Sequence, residues 1–141
     1  MTDGVIPNKA ANIERCLPRI HEELAGNQQN LVANQTKQDS IVLNLQRACE
    51  TAIDLAMYVI SQRKLGIPQD SRDAFTLLQT SGIIPADVAA RMQRMVGFRD
   101  VAVREYTRLN LDVVHALITK QLDDFQAVEA PIRFHKAHSE L

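Results

Sequence analysis

The sequence predicts an all-α protein, an antiparallel bundle of about five helices, and three observations carry that expectation. Apolar residues recur at i, i+3, i+4 and i+7 in one segment after another, the signature of helices with one buried face. The apolar–polar alternation of a half-buried strand is not found. The five Gly and five Pro fall mostly between the periodic segments, where they stop one helix and start the next.

The first helix is expected over about residues 7 to 25, with Ile13, Cys16, Leu17, Ile20 and Leu24 on one face, a kink at Pro18 and a stop at Gly26. The polar stretch NQQNLVANQTKQ leads to the longest helix, about 38 to 65, whose Ile41, Leu45, Ala48, Ala52, Leu55, Ala56, Val59 and Ile60 make it the central, mostly buried element. Asp70 or Ser71 caps a shorter helix that buries Phe75 and Leu78 and ends at Gly82. Pro85 opens a fourth helix running to about 107. Asn110 caps a fifth, which buries Val113, Val114, Leu117, Ile118, Leu122 and Phe125 and reaches about 129. Residues 1–129 thus form one bundle, and 130–141 are expected to be a mobile polar tail.

Composition bounds the function without naming it. A chain of 141 residues, 45% hydrophobic and 23% charged, is too short for two full domains and long enough for a core that needs no disulfide or metal. No apolar run approaches the roughly 20 residues of a membrane span, so no membrane role and a cytoplasmic location are expected. Cys16 and Cys49 lie in apolar helical segments, where small buried side chains are the simplest reading. A net charge of −1 argues against a nucleic-acid binder that works through overall charge, yet leaves room for a local basic cleft. No metal or cofactor is expected. His135 and His138 offer only two ligands, His21 and His115 have no suitable partners, and no Gly-rich phosphate loop or Ser/His/Asp arrangement occurs.

That cleft has one candidate stretch. Between residues 91 and 108 five arginines, 91, 94, 99, 104 and 108, face two acids, Asp100 and Glu105, so this stretch carries +3 and the rest of the chain −4. All five are Arg, whose planar fork holds phosphate in bidentate geometry. At 100° per residue Val88, Met92, Met95, Val103 and Tyr106 form an apolar stripe spanning roughly 80°. Arg99 falls inside that stripe, whereas Arg94, Arg104 and Arg108 fall on the opposite side. A charge on a buried face is tolerated when it is paired or functional. Arg99 is therefore either a structural ion-pair residue or a cleft residue, with the Tyr106 hydroxyl available to line the same cleft. Glu50 and Asp54, on the otherwise apolar central helix, are candidate partners for Arg99. The plain alternative for the stretch is a solvated face with an Asp100–Arg104 pair.

The segment GFRDVAVREYTRLNLDVV, from Gly97 to Val114, resembles the signature of the HEPN superfamily, in particular its HepT-type ribonuclease toxins. That signature is an Arg, usually followed by Asn, then four to six residues to a His, and often one further residue and a Tyr. QDSIVLNLQRACETAIDLA (38–56) and LGIPQDSRDAFTLL (65–78) resemble HepT sequences in the same order, so the likeness spans about residues 8 to 128. It implies a homodimer whose two motifs face one cleft, metal-independent cleavage of tRNA or another cellular RNA, and a partner antitoxin. The antitoxin is an MntA-like minimal nucleotidyltransferase that attaches AMP to the motif tyrosine. Carried over by position, Arg99 is the motif arginine and Tyr106 the modified tyrosine. Asp100 stands where Asn is usual, and Arg104 stands where the catalytic His belongs.

The last departure matters chemically. RNA cleavage without metal needs one group to move protons and a cation to stabilise the charge developing on phosphate. Arg99 suits the second task. Histidine, with a pKa of about 6.5, suits the first, whereas arginine stays protonated. The chain is therefore expected to be an RNase toxin with lost or reduced activity, whether Arg104 is natural degeneration or a substitution that removes toxicity. The rival expectation is a non-catalytic HEPN protein that binds nucleotide, RNA or a nucleotidyltransferase; a third is a plain helical scaffold.

Overall fold

In the computed structural model the described residues are 4–139, with side chains described through 133. They form seven α-helices and no strand: α1 (Val5–Leu24), α2 (Gln29–Val32), α3 (Gln35–Arg63), α4 (Ser71–Thr80), α5 (Ala86–Arg104), α6 (Leu111–Lys120) and α7 (Asp123–Ser139), with a 3₁₀ turn at Tyr106–Arg108 between α5 and α6. The all-α expectation holds, but five helices become seven. The polar stretch after α1 holds a short helix that buries Leu31. The expected fifth helix breaks at Gln121, which leaves helical geometry at φ −127°.

α3 is the axis of the bundle. Asn34 caps it by accepting from the Lys37 amide at 3.1 Å, and twelve of its residues are buried. α1, α2, α4, α5 and α7 all pack on it. Its core partners include Ile13 and Ile20 of α1, Phe75 and Leu78 of α4, Met92 and Met95 of α5, and Phe125 of α7. α1 continues through Pro18 and ends with Ala25 in left-handed conformation at φ 49°.

Two ion-pair clusters join the outer helices. Arg91 of α5 donates through Nε to both carboxylate oxygens of buried Asp124 on α7, at 2.9 and 3.0 Å, and reaches Asp87 at 3.3 Å. Arg133 of α7 pairs with buried Glu129 at 2.8 Å and with Glu14 of α1 at 3.4 Å. Burial and the nearby Glu14 push the Glu129 carboxyl above its ordinary range, against the pull of Arg133.

Three expectations are corrected. Helix α7 does not stop near 129; it runs through Pro131 to Ser139, and Ile132 is fully buried, so a mobile tail does not begin at residue 130. The side chains of His135 and His138 lie outside the described residues. Val113 is 51% exposed and Val103 56% exposed, although periodicity placed both on buried faces. The buried face of α5 centres instead on Val88, Ala89, Met92, Met95, Val96, Phe98 and Ala102.

Candidate functional site

The start of α4 and the second half of α5 are locked together by local chemistry. Asp70 accepts from the Asp73 amide at 2.8 Å while the Asp73 side chain accepts from the Gln69 amide at 2.9 Å, a reciprocal cap that fixes the first turn. Gln93 of α5 then donates to the Arg72 carbonyl at 3.1 Å and to Thr76 Oγ1 at 2.9 Å. Between the two helices lies a cavity of about 220 Å³, lined by Asp70, Ser71, Arg72, Val96, Arg99, Asp100 and Arg104.

Arg99 is the best-placed cation there. Its side chain is 24% exposed, its Nη2 donates to Ser71 Oγ at 3.3 Å, and its Nε lies 3.2 Å from Asp100 Oδ1. That last contact is a charge contact, because Nε is buried and makes no hydrogen bond among the described residues. Beneath it lies Cys49 of α3, whose thiol is pushed far up by complete burial while the positive charge of Arg99 pulls the other way. Arg99 is therefore paired with Asp100 and also lines the cavity. The guanidiniums of Arg72 and Arg104 also line the cavity, and among the described residues neither has an ion pair. The plain Asp100–Arg104 pair is absent; Asp100 turns to Arg99 instead.

Other expected partners lie elsewhere. Asp54 pairs with Lys9 at 3.3 Å and Glu50 accepts from Gln46 at 3.1 Å, so neither holds Arg99. Tyr106 does not line the cavity, because α5 ends at Arg104 and Glu105 turns the chain at φ −144°, ψ 58°. From the 3₁₀ turn the half-buried Tyr106 reaches back to α3. Its hydroxyl donates to Asp39 Oδ1 at 2.6 Å and lies 3.3 Å from Gln38 Oε1. Burial, this hydrogen bond and the Asp39 charge push its ionisation well above that of free tyrosine.

Sequence reasoning missed Ser71 and Arg72. One signal was available for Arg72: a cation in the first turn of a helix opposes the helix dipole, a placement that costs stability unless it serves something. Elsewhere, Cys16 and Cys49 are buried free thiols. His21 lines a separate cavity between α1 and α7 with Glu14, Leu17, Pro18, Glu22 and Gln126. An apolar groove of about 460 Å³ runs between α5 and α6, past Phe98, Val101, Val113 and Leu117. Among the described residues no group of three or more His, Cys, Asp or Glu is placed to hold a metal ion, and no helix is long and apolar enough to cross a membrane.

Comparison with known proteins places this geometry in a family. The chain is 43% identical over 124 residues to the mRNA nuclease HepT of Shewanella oneidensis, an alignment covering 88% of this chain and 92% of that protein. Its fold superposes on a toxin–antitoxin crystal structure with AMP-PNP at a TM-score of 0.88, with 40% identity and coverage of 93% of this chain and 98% of the other. It also superposes on the tri-AMPylated Shewanella oneidensis HEPN toxin in complex with its MNT antitoxin, at a TM-score of 0.86, with 41% identity and coverage of 94% and 98%. The model of the family described as Ribonuclease HepT-like matches residues 13–131, and the chain belongs to that HEPN family.

Proposed function

We propose that this protein is the RNA-directed toxin of a HEPN/MNT toxin–antitoxin pair, that its α4–α5 cavity holds RNA phosphates, and that Arg104 leaves it with little or no cleavage activity. The observation that carries the reading is the cavity itself: three arginines, two of them without an ion pair among the described residues, gathered around Arg99, the residue that matches the motif arginine. Arginine forks suit phosphate oxygens, and a half-buried one such as Arg99 is worth more than an exposed one because its field is less screened. None of the cavity's seven lining residues is a histidine. The 2′-hydroxyl attack that cuts RNA without metal therefore finds charge stabilisation here but no group that exchanges protons near neutrality.

The family relationship supports the remaining parts. The chain forms a homodimer that brings two cavities together, and the exposed apolar groove between α5 and α6 is a surface suited to such association. Its partner is an MntA-like nucleotidyltransferase antitoxin, and Tyr106 accepts AMP. The substrate is cellular RNA. The Shewanella relative is an mRNA nuclease, so mRNA stands beside tRNA as a candidate.

The deciding experiment compares the protein with Arg104→His on mRNA and tRNA pools in EDTA. Arg104→His should raise cleavage by about 10²–10⁴-fold, the usual worth of one acid/base group, and Arg99→Ala should abolish the gain. If neither protein cuts either pool while both bind RNA, the non-catalytic reading replaces this one. That alternative has its own support, since the cavity as it stands offers arginines suited to an anion and no histidine as a neutral-range proton carrier.

A further inference from the structure

Tyr106 is not a free surface hydroxyl. It donates to Asp39 Oδ1 at 2.6 Å, within the range of a charge-assisted O–H···O⁻ bond, and Gln38 Oε1 lies 3.3 Å away. Asp39 also accepts from Gln35 Nε2 at 2.8 Å, so its carboxylate is oriented from the first turns of α3. Asp39 is exposed, so bulk water can take a proton from it and a partner enzyme can approach it.

A tyrosine that receives a nucleotidyl group must lose its proton as it attacks. Free tyrosine ionises near 10, and here burial and the Asp39 charge raise that further, so phenolate is scarce at neutral pH. The attack needs a base in contact with the hydroxyl. We propose that Asp39 is that base, a catalytic residue that the acceptor chain itself supplies for nucleotidyl transfer onto Tyr106. The inference rests on the reading of Tyr106 as the modified residue.

The step balances as follows. Tyr106 Oη attacks the α-phosphorus of a nucleoside triphosphate. The new Oη–P bond forms as the bond from that phosphorus to the oxygen bridging the β-phosphate breaks, and pyrophosphate leaves with the electron pair. The phenolic proton passes to Asp39 Oδ1 and then to water. The product phosphodiester is an anion that has lost its donor to Asp39, so repulsion between the two releases the modified ring from α3.

The test measures single-turnover AMP incorporation from radiolabelled ATP, catalysed by an MNT antitoxin, into the wild-type chain, Asp39→Asn, Asp39→Glu and Tyr106→Phe. Asp39→Asn keeps an acceptor of the same shape at an exposed position, and an unchanged Tm checks its fold. It should slow transfer by about 10²–10⁴-fold, while Asp39→Glu, which keeps a carboxylate, retains most of the rate. A rate for Asp39→Asn within about threefold of wild type overturns the proposal, and a faster rate would make Asp39 a restraint instead. Absence of labelling in the wild type, or equal labelling of Tyr106→Phe, overturns the acceptor reading itself, which separates the two failures.

Discussion

Gly97→Ala separates stability from ligand binding at the seam between α4 and α5. Gly97 lies inside α5 with ordinary helical geometry, and a methyl group built on it meets one atom within 4 Å, Arg72 Nη2 at 3.0 Å. That atom is the far end of a flexible side chain with no ion pair among the described residues, so it can yield. Replacing an interior helical glycine by alanine gains about 0.8–1.0 kcal/mol, and the displaced guanidinium gives back a fraction of it. The net expectation is a stabilisation of about 0.5–1 kcal/mol, or a Tm rise of about 2–5 °C for a domain of this size. The same methyl moves Arg72 away from its seat beside the cavity. Anisotropy titrations with a short single-stranded RNA should therefore show weaker binding by the more stable protein. In an Arg72→Ala background Gly97→Ala should leave RNA binding unchanged while keeping its Tm gain, because the coupled group is gone. A fall in Tm would refute the view that Arg72 is free to move, and an equal loss of RNA affinity in both backgrounds would refute its role.

Arg72→Ala alone should lower the dependence of log K on log salt by about 0.7 for single-stranded RNA, the share of one phosphate contact; an unchanged slope at reduced affinity would point to a structural effect. Glu129 supplies a pH prediction. Its folded-state carboxyl titrates above its unfolded value, chiefly because it is buried. The folded state therefore binds the extra proton between the two values, and the stability this contributes is present at low pH and lost as pH rises through the folded value. Glu129→Gln, uncharged at every pH, should flatten that part of the Tm–pH curve, whereas parallel curves would remove the argument.

What was legible in the sequence was what local chemistry dictates. The buried face of α3, the Asp70 and Asn110 caps and the stop of α4 at Gly82 depend on spacing and on side chains that bond their own backbone, so they are read without a partner. Arg99 was legible as an anomaly because a guanidinium among Val88, Met92 and Met95 needs an explanation in any fold. Ser71 and Arg72 were not, because they become site residues only when α4 packs across α5. Tyr106 was assigned a direction by extending the helical period two residues past the true end of α5, where the 3₁₀ turn sends it to α3 instead. The pairing of Glu50 and Asp54 failed for a related reason: spacing fixes which residues share a face, and packing decides what that face meets.

The end of α5 at Arg104 also bears on how modification of Tyr106 would silence the cavity. Tyr106 is not among the residues that line the cavity, so an AMP group on it is attached from outside the lining. It would, however, tether an anion two residues from Arg104, an exposed arginine that lines the cavity and has no ion pair among the described residues. A tethered group acts at an effective concentration in the millimolar range, enough to compete with individual RNA phosphate contacts without matching their number. On this reasoning AMP attachment should weaken RNA binding by neutralising Arg104, and the loss should shrink in an Arg104→Ala background, where the tethered phosphate has no such partner. Binding titrations of modified and unmodified protein in both backgrounds measure it. Equal losses in the two backgrounds would mean that the adenosine blocks RNA by bulk alone and that Arg104 plays no part in the inhibition.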